Sequence, residues 1–173
     1  MSKLVAPHGG KGLVICKLEG AELEAELKKA EGLKKIEISS QVKGDLIMLG
    51  IGGFSPLNGF MTKADWKGVC ADFLLADGTF WPVPVMLDAA AADAAEINEG
   101  DEIALERDGE VYATMKVEEK FEMTEDEKNG NAKKYTKATA KSLKTMYSGR
   151  SPWKIIPAFR LLWPEKNSAL QVP

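Results

Sequence analysis

Few residues in this sequence have the types and spacing that chemistry requires. His8 is the single histidine and lies in Pro7-His8-Gly9-Gly10-Lys11-Gly12, a polar, glycine-rich arm. An imidazole has acid-base chemistry available in principle, yet a lone histidine in such an arm reads as an exposed side chain. The two cysteines, Cys16 and Cys70, lie far apart and match no metal-ligand spacing. With one histidine beside them, no zinc site is expected, and the thiols read as reduced, which makes the cytoplasm the expected location. Cys70 falls among apolar residues of a helical stretch and is expected as a core thiol, not a nucleophile. No catalytic, substrate-binding or metal residue is therefore expected in this chain.

The stretch that draws most attention is Gly50-Ile51-Gly52-Gly53-Phe54-Ser55-Pro56-Leu57-Asn58-Gly59-Phe60-Met61. Its glycines allow positive φ and close backbone approach, and its proline fixes φ. Phe54, Phe60 and Met61 are apolar anchors for a turn-rich segment. It has neither the Gly-Lys-Ser/Thr ending of a phosphate loop nor a Gly-x-Gly-x-x-Gly pattern, so it predicts a structural connection and no nucleotide site.

The elements around these residues follow from local signals. Leu13–Cys16 is strand-like. Ala21–Ala30 places Leu23, Leu27 and Ala30 at helical spacing, with Gly32 as a stop and its charges on a solvated face. Lys35–Ser39 alternates, with Ile36 and Ile38 on one side. Ser39 or Ser40 caps a helix over Gln41–Leu49 that turns Val42, Leu46 and Leu49 to one face. Thr62, with Asp65 three residues on, opens a helix to about Cys70 that buries Trp66 and Val69.

The second half turns to strands. Asp77-Gly78 between Phe73–Leu75 and Thr79–Met86 is a hairpin signal. Pro82 and Pro84 forbid a fully paired strand there, so an edge, a bulge or an irregular run is expected. Asp88 caps a short helix over Ala89–Ala95. Asp108-Gly109 joins Glu102–Arg107 to Glu110–Glu118 in a second hairpin, with Ile103, Leu105, Val111, Ala113, Met115 and Val117 alternating. Gly100-Asp101-Glu102-Ile103 is an entry common in small barrels. The fold class is α+β: helices first, then an antiparallel sheet or small β-barrel, then an irregular tail.

At 173 residues and 45 % hydrophobic, the chain is long enough for one domain with a sizeable core. No apolar run reaches the roughly 20 residues of a membrane span, and Met1–Gly10 lacks the apolar centre of a signal peptide. The net charge of −3 conceals a break: residues 1–128 carry 14 basic and 25 acidic residues, and residues 129–173 carry 9 and 1.

Taken together, Phe54-Ser55-Pro56-Leu57-Asn58-Gly59-Phe60-Met61 and Asp77-Gly78-Thr79-Phe80-Trp81-Pro82-Val83-Pro84-Val85 resemble the N-terminal domain of ATP sulfurylase (sulfate adenylyltransferase). Glu37-Ile38-Ser39-Ser40, Val117-Glu118-Glu119 and Glu122-Met123-Thr124 fit as well, and Pro7-His8-Gly9-Gly10 is similar to the start of the dissimilatory type. The resemblance covers about residues 1–128. It implies a PUA-like barrel fold and a place in an enzyme that transfers adenylyl from ATP to sulfate, with Mg, giving adenosine 5′-phosphosulfate and pyrophosphate. In that family the chemistry belongs to a separate downstream domain with a Gln-x-Arg-Asn-x-x-His-x-x-His segment and a later Gly-Arg-Asp. With His8 alone the first cannot exist here, and Gly149-Arg150-Ser151 is not the second. The resemblance thus implies a non-catalytic domain that holds no cofactor itself. Its partner would be the catalytic domain or a neighbouring subunit, with no membrane.

The tail, residues 129–173, departs from that resemblance. An out-of-frame reading accounts for it. Permitted codons for Asn129 onward, read from the third base of the Asn129 codon, give W-E-C-E-K-V-Y-K-G-N-G-K-E. Further on they give F-W-K-I-A-L-E-D-H-P-G-V, whose Asp-His-Pro-Gly-Val resembles the family near this place. Such a tail is expected to be poorly ordered. The alternative is a stand-alone PUA-like module that binds RNA through Lys133, Lys134, Lys137 and Lys141. Against it stands the acidic body of residues 1–128, net −11, which disfavours nucleic acid.

Overall fold

The structure is a computed structural model, and the residues described are 6–10, 12–124 and 153–162. Four helices and five strands are found among them: α1 (Gly20–Ala30), β1 (Lys34–Glu37), α2 (Ser40–Gly50), α3 (Lys63–Asp72), β2 (Leu87–Ala89), α4 (Ala91–Glu96), β3 (Glu102–Arg107), β4 (Glu110–Glu122) and β5 (Trp153–Leu161). The strand order is β1-β3-β4-β5-β2. β1 is parallel to β3, and β3 is antiparallel to β4. The sheet is therefore mixed, and among the described residues β1 and β2 end it without pairing to each other. The α+β expectation holds; the barrel part of it gives way to an open sheet.

The chain divides into two compact units. The first takes residues 1–59, 100–117 and 157–173, and the second takes 60–99 and 118–156. In the first unit, Lys34, Lys35, Ile36 and Glu37 pair with Ile103, Ala104, Leu105 and Glu106. The β3–β4 hairpin turns at Asp108 and Gly109, both at positive φ, as a two-residue turn with matching twist requires. Its core is Ile36, Ile38, Val42, Leu46, Leu49, Ile103, Leu105, Ala113 and Met115, all buried. Ser39 caps α2 by accepting from the Val42 N–H at 3.2 Å, as expected from sequence.

α1 departs from the expected pattern. Leu27 is exposed, and Glu26 is buried. The Glu26 carboxylate accepts from the Thr114 hydroxyl at 2.7 Å and from Lys29 Nζ at 3.1 Å. Lys29 also donates to Glu102 at 2.7 Å, and these bonds raise its pKa, Glu102 foremost. Two donors, one of them charged, make a buried carboxylate tolerable, so the helix turns a charge inward and a leucine outward. Leu13–Cys16 is likewise not a strand.

In the second unit α3 opens as expected. The Thr62 Oγ1 accepts from the Asp65 N–H at 3.1 Å and donates to its carboxylate at 2.8 Å. The other Asp65 oxygen accepts from the Ala76 N–H at 2.9 Å, tying the helix start to the following turn. Trp66, Val69 and Cys70 are buried, and Trp66 packs at 6.2 Å on Phe121. The Asp77-Gly78 hairpin is reduced to a single bridge, Leu74 to Phe80, because Pro82 and Pro84 cannot donate to a longer ladder. α4 starts after Ala90 with no side-chain cap, so Asp88 does not cap it; Asp88 lies in β2. The Lys120 Nζ closes the other end of α4, donating to the Ala94 and Ile97 carbonyls.

β5 falls inside the segment that reads as irregular. Its residues Ile155, Lys154 and Trp153 pair with Leu87, Asp88 and Ala89 of β2. A β ladder is made by main-chain groups, so a segment without alternation can still complete one. The remaining tail, including Lys133, Lys134, Lys137 and Lys141, lies outside the described residues.

Candidate functional site

The arm and the Gly50–Met61 loop are where the sequence concentrates its unusual residues, and the first unit joins the arm to residues 50–59. α2 is capped at its end by Ile51, whose N–H reaches the Ile47 carbonyl at 3.0 Å. Gly52 then takes φ +78°, a region that glycine enters freely. This turn brings the Gly52 carbonyl onto the buried Ser55, whose hydroxyl donates to it at 2.6 Å. The same Ser55 oxygen accepts from the Val14 N–H at 2.9 Å. One hydroxyl thus closes the loop on itself and holds the arm.

Two further contacts follow the arm along the loop. The Cys16 thiol lies 3.7 Å from the Asn58 carbonyl. Gly9, at φ +78°, comes so close to Pro56 that a Cβ on it would stand 3.0 Å from the proline ring. The loop also anchors inward: of the expected anchors Phe60 and Met61 are buried and Phe54 only partly, and Leu57 is buried beside them. The role expected for it, a turn-rich connection pinned by apolar side chains, is the one it has.

The nucleophile and acid-base candidates do not converge. His8 is exposed in a turn closed by the Gly10 N–H on the Pro7 carbonyl at 3.0 Å. Burial pushes the Cys16 thiol above its ordinary pKa and pushes the Cys70 thiol up to about 12. Both shifts disfavour the nucleophilic thiolate, and the buried Cys70 is in addition shielded from reagents. Among the described residues no three His, Cys, Asp or Glu side chains gather in a way that could hold a metal ion. No described helix is long and apolar enough to cross a membrane. No local pattern signals the arm's attachment to the loop, since it runs through one side-chain oxygen across 41 residues of chain.

The profile of the PUA-like domain family matches residues 5–151. The chain belongs to the PUA-like domain family. Curated relatives carry the name sulfate adenylyltransferase. That of Desulfatibacillum aliphaticivorans is 75 % identical over 131 residues, which is 74 % of this chain and 31 % of the relative. That of Desulfovibrio desulfuricans is 73 % identical over 128 residues. That of Ruthia magnifica is 39 % identical over 177 residues, covering 98 % of this chain and 43 % of the relative. The chain thus spans about a third of the length of the first two relatives.

Among solved structures, the hexameric APS kinase from Thiobacillus denitrificans superposes with a TM-score of 0.69 at 25 % identity. The match covers 95 % of this PUA-like chain and 29 % of that protein. The resemblance to the PUA-like domain of sulfate adenylyltransferases, carried by the Phe54–Met61 and Asp77–Val85 stretches, stands.

Proposed function

We propose that this chain is the N-terminal, non-catalytic domain of a sulfate adenylyltransferase, acting by packing against a catalytic domain or a neighbouring subunit. The observation that carries this reading is the 75 % identity to a sulfate adenylyltransferase of which the chain covers only 31 %. Transfer of adenylyl from ATP to sulfate needs cations on the phosphates and a clamp that aligns sulfate with the α-phosphorus. In this proposal those groups, with ATP, sulfate and Mg, belong to the other domain, and the location is cytoplasmic. The domain proper ends near residue 128, and the segment from 129 is the product of a shifted reading frame. The matches to the two most identical relatives named above have lengths, 131 and 128 residues, in keeping with that boundary, whereas the PUA-like family match runs to residue 151 and the Ruthia magnifica match covers 98 % of the chain.

The test is pyrophosphate release from ATP and sulfate with Mg. The chain by itself is expected to show none, and turnover by the chain alone would overturn the reading. Sequencing the coding DNA over codons 125–170 tests the shifted frame. A continuation with no likeness to sulfate adenylyltransferases in the shifted frame would make the tail native.

A further inference from the structure

The first unit shows an apolar surface that its own fold does not cover. Leu13 is 62 % exposed, Ile15 60 %, Ile51 43 % and Met48 37 %. Ile15, Met48 and Ile51 border the adjacent glycines of the loop, and Leu13 lies two residues before Ile15 on the arm. Ile15 Cγ1 is 3.3 Å from where a Cβ of Gly52 would stand, and Met48 Cε is 2.5 Å from the corresponding point on Gly53. Leu13 and Ile15, both exposed, flank the less exposed Val14 on the arm. The backbone beneath is fixed by the Ser55 hydroxyl on Val14 and Gly52. A well-held platform of large apolar side chains is what an interface core requires, and a loose loop is not.

The charge pattern agrees. In a chain with 28 % charged residues, the 15 residues from Ile47 to Met61 include none. Covering this surface would strip water from no ion on the loop, which removes the largest penalty to burial. The relatives supply the occupant: the first two are about three times as long as the part this chain matches.

We infer that the Leu13–Ile15–Met48–Ile51 surface docks the remainder of the sulfate adenylyltransferase polypeptide through an apolar, uncharged contact. This rests on the proposed function above, and it adds the residues that make the contact.

The experiment is a chimera of the Desulfatibacillum aliphaticivorans enzyme in which its 131 matched residues are replaced by their counterparts from this chain, with a protease site at the junction. After cleavage the two halves are expected to stay together and to retain pyrophosphate release. The double substitution Ile15→Glu with Met48→Glu is expected to weaken their association about tenfold or more, as loss of central apolar contacts does. Phe80→Glu with Val83→Glu, at comparably exposed apolar residues of the second unit, is expected to leave it unchanged.

Halves that separate with the surface intact would overturn the proposed function itself. Halves that stay together equally well in the Ile15→Glu, Met48→Glu protein would overturn only the docking surface. So would dimerisation of the 173-residue chain that the same substitutions abolish, since a second copy would then be the occupant. Thermal melting of the substituted 173-residue chain confirms folding. If it fails, Leu13→Ser with Ile15→Ser takes its place in the same assay.

Discussion

Two glycines, one in each unit, make the same demand for a missing side chain and place it against different neighbours. A Cβ on Gly53, in the loop after α2, would meet the terminal methyl of Met48 at 2.5 Å. A Cβ on Gly68, inside α3, would run into the Leu74 carbonyl oxygen. Met48 is partly exposed and has rotamers to spare. The Leu74 backbone has none, because the turn that follows is tied by Leu75 N–H to the Thr79 carbonyl at 2.8 Å and Trp81 N–H to the Phe73 carbonyl at 2.7 Å. The second unit is held by backbone pressed on backbone and by its aromatic core. The arm and loop of the first unit are held by a few side-chain hydrogen bonds under adaptable apolar groups.

That contrast predicts where the molecule breaks. The largest effect is expected at Trp66, nearly fully buried against Phe121. Trp66→Ala should cost about 3–5 kcal/mol in denaturant unfolding. Its indole N–H finds no partner among the described residues, so Trp66→Phe should cost much less than the volume lost suggests. A Phe variant as damaged as the Ala variant would mean that the N–H has a partner.

Next comes Gly68→Ala, expected to cost about 2–3 kcal/mol because the clash outweighs the better helix propensity of alanine. Gly53→Ala, measured in the same way, should cost under about 1 kcal/mol, since only a methionine tip must move. Equal costs at the two glycines would refute the contrast between backbone and side-chain contact. Between them falls Ser55→Ala, at about 1–2 kcal/mol, with faster hydrogen exchange at the Val14 amide as its local signature.

The thiols give the mildest effect, visible only in alkali. Burial raises the Cys70 pKa from 9.0 to about 12. The unfolded chain then releases this proton before the folded one does. The stability due to a neutral buried thiol is complete below about pH 9 and falls as pH climbs towards 12. Cys70→Ala should flatten that part of the stability-pH curve. At pH 8 the half-buried Cys16 should be alkylated in the folded chain while Cys70 waits for unfolding.

What could be read in advance was local. Ser39 and Thr62 announce their helices by capping within three residues, and Asp108-Gly109 announces its hairpin by the φ it permits. The features missed depend on residues far apart in the chain. The parallel pairing of β1 to β3 joins segments nearly 70 residues apart. Burial of Glu26 depends on Thr114, 88 residues away, and helical spacing alone could not choose it over Leu27. In the candidate site, the glycines and proline marked the loop, whereas the exposed surface over it arises only once the arm is laid across Ser55.

The hydrogen bond from the Leu162 N–H to the Tyr112 carbonyl, at 2.8 Å, gives the tail segment a role that its sequence does not express. β4 borders β3 on one side and β5 on the other. Without β5 that second side would be a row of open donors and acceptors, a template on which other chains could assemble. What covers this side of β4 is the presence of a strand beside it, whatever its spelling. Whichever reading frame follows residue 128, it has to deliver one.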